Sequence, residues 1–338
     1  MIKKIKIKVP DRYKHNAIFF VLKALRGWFY RLPSRLTLMC AIFQVRLLLI
    51  RYKKLLFFVP DFFATGDTLA LSPVVRAFKK SNNSAVVYIG RRDSVALTRR
   101  IEGFDYSFVC HPLELFNELE KKCNLKTVIR LRLGTDFNKF RKDLIETEWE
   151  QIGSGVIEDK TIRYRLTRNE EHFAAQYQKR YGDYLIFAPE SSSYSDKKRW
   201  LDDYWQKLID LQTAPVIIVG ISPEPTFRHC IDLRGKTTKN EMAALIKYCR
   251  LFIGLSSGPL WFARAFGKEA LVVIGGYELP ENSKYDKSYH FFTNLACSLC
   301  GLRPQERCVY DMECMRKITP EMVNNEIKQR LFEGSSKI

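Results

Sequence analysis

From residue 55 onward, short runs of apolar residues alternate with longer stretches in which apolar positions recur every three to four residues. Leu55–Val59 is a continuous apolar run, the pattern of a parallel strand buried on both faces. A turn containing Gly66 follows, and then a helical stretch over Thr68–Lys80. Further apolar runs at Ala85–Ile89, Tyr106–Val109 and Thr127–Leu131 are separated by helical spacing. A polar, charge-rich region over roughly 134–180 interrupts the series, which then restarts. Strands are expected at Tyr184–Ala188, Pro215–Val219, Leu251–Ile253 and Ala270–Ile274, and helices at Asp202–Leu211, Lys239–Cys249 and Pro259–Phe266.

Strand–helix alternation of this kind predicts an α/β fold with parallel sheets covered by helices. Two series predict two doubly wound domains, at 55–180 and 181–338, behind an extension of residues 1–54. Ligands in such sheets bind beyond the carboxyl ends of the strands, so the expected site is a cleft between the two halves.

The extension has its own pattern. Ile18, Phe19, Leu22, Leu25, Trp28, Phe29, Leu32 and Leu36 fall in helical spacing with Lys and Arg between them, and Pro33 divides the stretch into two helices. Residues 1–54 hold 14 Lys/Arg against one acid, Asp11, whereas the other 284 residues hold 42 against 36. The net charge of +19 therefore sits mostly in one segment. A basic helix with Trp and Phe on its apolar face suits an anionic membrane surface; the same pattern also suits a helix packed on the protein's own body. A nucleic-acid binder would interleave aromatics with cations through the folded body, and no motif does so. No apolar run reaches the ~20 residues of a membrane span, and Arg26, Arg31, Arg35 and Arg46 interrupt every candidate signal-peptide core. Cys40, Cys110, Cys123, Cys230 and Cys249 are scattered among apolar residues, as free core thiols of a reducing compartment are. The expected location is cytoplasmic, peripheral to the inner membrane.

Four segments could carry chemistry. Pro60 to Thr68 joins the first strand to a helix and places Asp67 at the helix start, where it can cap the helix or serve as a general base. Ala188 to Trp200 follows the first strand of the second domain; its hydroxyls, Ser192 and Ser193 among them, and Lys197-Lys198-Arg199 can cradle a diphosphate or form a polar loop. Ser256-Ser257-Gly258-Pro259 turns a buried strand into a helix whose free N–H groups suit a phosphate, though a simple cap has the same pattern. Cys297, Cys300, Cys308 and Cys314 have the spacing of a closed four-thiolate site for structural zinc or iron; two disulfides, or thiols without metal, fit the same spacing.

Taken in order, these segments resemble the family 9 glycosyltransferases, the bacterial heptosyltransferases, over roughly residues 55–330. The opening Gly-Asp pair is matched by Gly66-Asp67, with Leu69-Ala70-Leu71-Ser72-Pro73 behind it. The Lys-x-Trp segment is matched by Lys198-Arg199-Trp200, and Leu-x-Gly-Lys-Thr by Leu233-Arg234-Gly235-Lys236-Thr237. Where the family has Asp-Ser-Gly-Pro-x-His, this chain has Ser256-Ser257-Gly258-Pro259-Leu260-Trp261, without the acid or the imidazole. That version, and the cysteine cluster followed by Ile318-Thr319-Pro320, is similar to the autotransporter heptosyltransferase branch. The resemblance implies a GT-B fold, two Rossmann-like domains across a cleft. It also implies inverting transfer without a catalytic cofactor or metal, from an ADP-type sugar donor to lipopolysaccharide core or to a protein Ser/Thr. It makes Asp67 the base, places Ser192, Ser193 and Lys198 on the donor diphosphate, sets Glu224 on the ribose, and lines the sugar-phosphate site with Ser256, Ser257 and Gly258. Loss of the family acid and imidazole leaves a second expectation, a degenerate scaffold that binds an anionic partner or membrane through residues 1–54.

Overall fold

The computed structural model describes residues 34–51, 55–60, 64–82, 84–109, 113–124, 128–131, 141–153, 155–191, 196–300 and 306–335. The helix expected before Pro33 lies outside these residues. Helix α1 (Ser34–Arg51) leads into β1 (Leu55–Pro60), α2 (Thr65–Asn82), β2 (Ala85–Gly90), α3 (Arg92–Thr98), β3 (Tyr106–Val109), α4 (Leu113–Cys123) and β4 (Val128–Leu131). The four strands form a parallel sheet in the order β3-β2-β1-β4. The order reverses beside β1, which places the start of α2 at the switch point where such sheets bind ligands.

Helix α1 is apolar on both sides. Leu38, Ala41, Val45 and Leu48 are buried in a cluster with Phe57, Val87 and Leu119, while Met39, Phe43, Leu47 and Ile50 are exposed. Among the described residues no helix is long and apolar enough to cross a membrane.

Two helices occupy the region that reads as polar, α5 (Leu144–Trp149) and α6 (Arg168–Tyr181). Helix α6 buries little more than Ala174, so its apolar stripe is thin, but Thr167 and Glu170 close a reciprocal capping box at its start. The second sheet is built from β5 (Leu185–Ala188), α7 (Asp202–Asp210), β6 (Val216–Ile218), β7 (Ile231–Asp232), α8 (Lys239–Tyr248), β8 (Leu251–Leu255), α9 (Gly258–Ala265), β9 (Ala270–Gly275) and β10 (Ser288–Phe292). Short α10 (Glu313–Arg316) and α11 (Pro320–Ser335) close the chain. The six strands run parallel in the order β10-β9-β8-β5-β6-β7. The switch point here lies between β5 and β8, so the loop carrying Lys198 and the turn carrying Ser257 leave neighbouring strand ends. The two edge strands β7 and β10 escape the hydrophobic pattern because they are short and only half buried.

Helix α6 packs on α8, α11 on α7, and α5 on α2. The domains meet through α2 and α9. Leu69, Ala70 and Val74 share one apolar cluster with Ile145, Trp149 and Tyr164 and with Leu260 and Phe262.

Phe58 is fully buried in the first sheet, edge-on to Phe78 and Phe104 at centroid distances of 5.8 and 5.9 Å. Phe58→Ala is expected to cost about 3–5 kcal/mol, read as a lower urea midpoint with an unchanged slope.

Candidate functional site

The first turn of α2 faces the first turn of α9 across the domain boundary. A Cβ on Gly66 would stand 2.6 Å from the Trp261 indole, and one on Gly258 would stand 3.1 Å from the Thr65 side chain. Glycine at both positions is what lets the two helix starts approach. Trp261 is held from behind by the Arg264 guanidinium, 5.1 Å from its ring. Arg264 in turn pairs with Asp143 at 2.8 Å, both nearly buried, and Asp143 caps α5 by accepting from the Ile145 N–H. One chain of contacts thus runs from α5 through α9 to the turn that carries Asp67. The Asp67 side of that turn is closed in, with Asp67 only 6% exposed.

In the second domain Lys198 lies in a tight turn after β5. Its Nζ donates to Glu278 Oε2 at 2.8 Å and sits 5.0 Å from the Tyr277 ring. Ser256, at the end of β8, shares a hydrogen bond with Ser283, which reaches His290 Nε2. The Ser257 hydroxyl is buried with no hydrogen-bond partner among the described residues. An unmet polar group beside a helix N-terminus in a cleft is the kind of atom a ligand satisfies.

The loop after β6 is organised from below. Glu190 accepts from the Ile221 and Ser222 N–H groups, and Gly220 makes room for its carboxylate. The fully buried Arg234 grips Asp232 and donates to the Pro223 and Pro225 carbonyls. Burial opposes the charge on Asp232, but the Arg234 side-chain and backbone donors outweigh it and hold the carboxyl below its usual value. Glu224 stands exposed on this anchored loop.

Ser192 and Ser193 lie outside the described residues. Asp67, Gly258 and Ser257 are brought to one interface; Lys198 and Ser256 flank the second switch point; Glu224 projects from the neighbouring loop. Glu190, Arg234, Glu278 and His290 carry site contacts that the sequence motifs do not single out. Arg234 lies within the Leu233–Thr237 segment, and its Arg-Gly context before a turn is the one available signal.

Cys297, Cys300, Cys308 and Cys314 are free thiols that line one cavity of about 250 Å³, together with Gly276, Tyr277 and Lys197. The two-disulfide alternative is therefore not formed. The closed metal cage expected from the spacing is not formed either: among the described residues, no three His, Cys, Asp or Glu side chains stand as a metal-holding group. Burial pushes the Cys314 thiol up, and the neighbouring thiols add to it.

Comparison with solved structures shows the same fold. A family 9 glycosyl transferase from Veillonella parvula superposes with a TM-score of 0.63 at 14% identity, over 83% of this chain and 97% of that one. The ADP-heptose lipopolysaccharide heptosyltransferase II of E. coli gives 0.63 at 13%, over 83% and 99%. The iron-containing dodecameric glycosyltransferase TibC of enterotoxigenic E. coli gives 0.61 at 18%, over 82% and 78%. Comparison with curated protein sequences finds no match. The two parallel-sheet domains have the GT-B fold of these structures. Residues 154–278 match the model of glycosyltransferase family 9 (heptosyltransferase).

Two tests follow from the geometry. Gly66→Ala places a methyl group against Trp261, so it is expected to shift the tryptophan emission and to lower turnover without unfolding the protein. His290 is pushed down to about 3 from its ordinary 6.5, by burial first and then by the charges of Lys284 and Arg264. The unfolded chain takes a proton on this ring where the folded one does not. Its contribution to stability is complete above about pH 6.5 and is lost as pH falls toward 3. The melting temperature is expected to fall less steeply over that window in His290→Gln.

Proposed function

We propose that the protein transfers a heptose-type sugar from an ADP-type nucleotide donor to a hydroxyl acceptor, with inversion and without a metal in the chemistry. The observation that carries this reading is the meeting of the Asp67 turn with the Ser257-Gly258 turn at facing switch points of two domains. The acceptor hydroxyl enters from the first domain and gives its proton to the Asp67 carboxylate as its oxygen attacks the anomeric carbon. The bond from that carbon to the diphosphate oxygen breaks, and the electron pair leaves with the nucleoside diphosphate. Charge growing on the diphosphate is met by Lys198, by Ser192 and Ser193, and by N–H groups at the start of α9. Ser256 and Ser257 line the sugar side, and Glu224 takes the ribose. Binding of ADP-sugars by the solved relatives supports the donor class: one E. coli heptosyltransferase, WaaC, was determined with ADP-2-deoxy-2-fluoro heptose.

Cys297, Cys300, Cys308 and Cys314 would hold zinc or iron if they close on an ion. The four sulfurs around one cavity are the right donor set, and such an ion would stiffen the fold around the loop after β9. The acceptor is a hydroxyl of lipopolysaccharide core or of a protein Ser/Thr. The protein works on the cytoplasmic side, against an anionic membrane: α1 exposes Met39, Phe43, Leu47 and Ile50 and contains Arg35, Arg46 and Arg51 but no acid. Each basic residue near such a surface contributes roughly 1 kcal/mol.

Asp67→Asn is expected to lower turnover by about 10²–10⁴-fold while ADP still binds; near-normal turnover rules out the base. Mass spectrometry of lipopolysaccharide core and of candidate protein acceptors after incubation with ADP-heptose identifies the acceptor, and no adduct on either refutes the donor assignment. Phe43→Glu with Leu47→Glu is expected to abolish co-sedimentation with anionic vesicles, and equal recovery with neutral vesicles removes the membrane role.

A further inference from the structure

The loop after β9 carries a buried charge that the transfer scheme leaves unused. Glu278 is 1% exposed. Its Oε2 accepts from Lys198 Nζ at 2.8 Å, and its Oε1 is buried with no hydrogen-bond partner among the described residues. A carboxylate withdrawn from water is costly to keep unless a cation answers it, and the Lys198 ammonium is the cation that does so here. The Tyr277 ring steadies the same ammonium from 5.0 Å.

Both residues ride on a turn that has little freedom. The Gly275 carbonyl accepts from the Thr293 N–H at 3.0 Å, and the Gly276 carbonyl from the Leu299 N–H at 2.6 Å. Gly275 has φ +62, and a Cβ on Gly276 would stand 2.7 Å from Ser298 Oγ. The carboxylate is therefore fixed by the cysteine-bearing segment packed against the turn. Lysine is a flexible point charge with three donors, so its place is set by whatever holds its tip.

The neighbouring strand end makes this arrangement informative. β8 runs into Ser256, without the acid that the family resemblance leads one to expect there. The buried acid of this sheet end sits one strand over, after β9, and its partner is the cation of the β5 loop.

We propose that Glu278 is the positioning residue for the donor's diphosphate, acting only through Lys198, whose Nζ it holds at the carboxyl end of β5. This rests on the reading of Lys198 as the diphosphate-binding cation.

The test measures ADP affinity by calorimetry, KM and kcat for donor and acceptor, and melting temperature. The variants are Glu278→Gln, Lys198→Met and their combination. Gln keeps the volume and an acceptor but not the charge. Glu278→Gln is expected to weaken ADP binding and raise donor KM about tenfold, with acceptor KM and melting temperature unchanged. A residue needed only for folding would move the last two instead. In the Lys198→Met background the same change is expected to cost less than about twofold in ADP affinity. The combined variant should also melt higher than Lys198→Met alone, which strands a buried carboxylate. Wild-type ADP affinity in Glu278→Gln, or losses that multiply in the combined variant, overturns the positioning role and leaves Lys198 in place. Wild-type affinity in Lys198→Met removes Lys198 from the donor site, and the proposal falls with it.

Discussion

Closure of the two domains rests on the absence of a side chain. Gly66 sits where any Cβ would enter the Trp261 indole, and that contact sets how near the start of α2 comes to the start of α9. Everything assigned to the chemistry is arranged around it. The first sheet contributes one acid at its switch point; the second contributes backbone donors and a lysine at its own. Packing, rather than electrostatics, brings them together: a single apolar cluster runs from α2 through Tyr164 into α9. A nearly buried ion pair, Asp143 with Arg264, also spans the boundary and holds the guanidinium beside the Trp261 ring.

The second domain divides labour between two kinds of anchor. Arg234 and Glu190 spend their charges on backbone groups and so shape the loop that carries Glu224. Lys198 and Glu278 spend theirs on each other. The first pair makes a surface rigid. The second holds an ammonium against the loop after β9, where a solvated lysine would stay only part of the time.

The strands were the most readable part of the chain. Each of the eight expected apolar runs coincides with an observed parallel strand to within two residues. β7 was unreadable because it is two residues long, and β10 because its partly exposed SYHFF stretch is neither a continuous apolar run nor a clean alternation. Helix α6 was hidden for the opposite reason: its capping box was present at Thr167 and Glu170, but its buried face is little more than Ala174. At the site, Asp67 and the Ser256–Gly258 turn stood out because a strand-to-helix turn has a local signature. Glu278 and His290 did not, because their meaning comes from partners 80 and 7 residues away in sequence. The cysteine cluster was legible as four converging thiols, though spacing alone overstated how tightly they gather.

The connection between domains has an unequal grip on its two neighbours. Tyr164 forms a lone antiparallel bridge with Ile101, and the Arg165 N–H donates to the Arg100 carbonyl. The Tyr164 hydroxyl donates to Asn240 on α8, and Asn240 and Arg100 both hold Glu170 on α6. Residues of both domains therefore converge on one short stretch of chain, whose Tyr164 ring also packs edge-on against Phe262 of α9, 5.1 Å between centroids. This stretch is thus tied at once to the segment after α3 and to α6, α8 and α9, and a substitution at Tyr164 would loosen contacts in both domains.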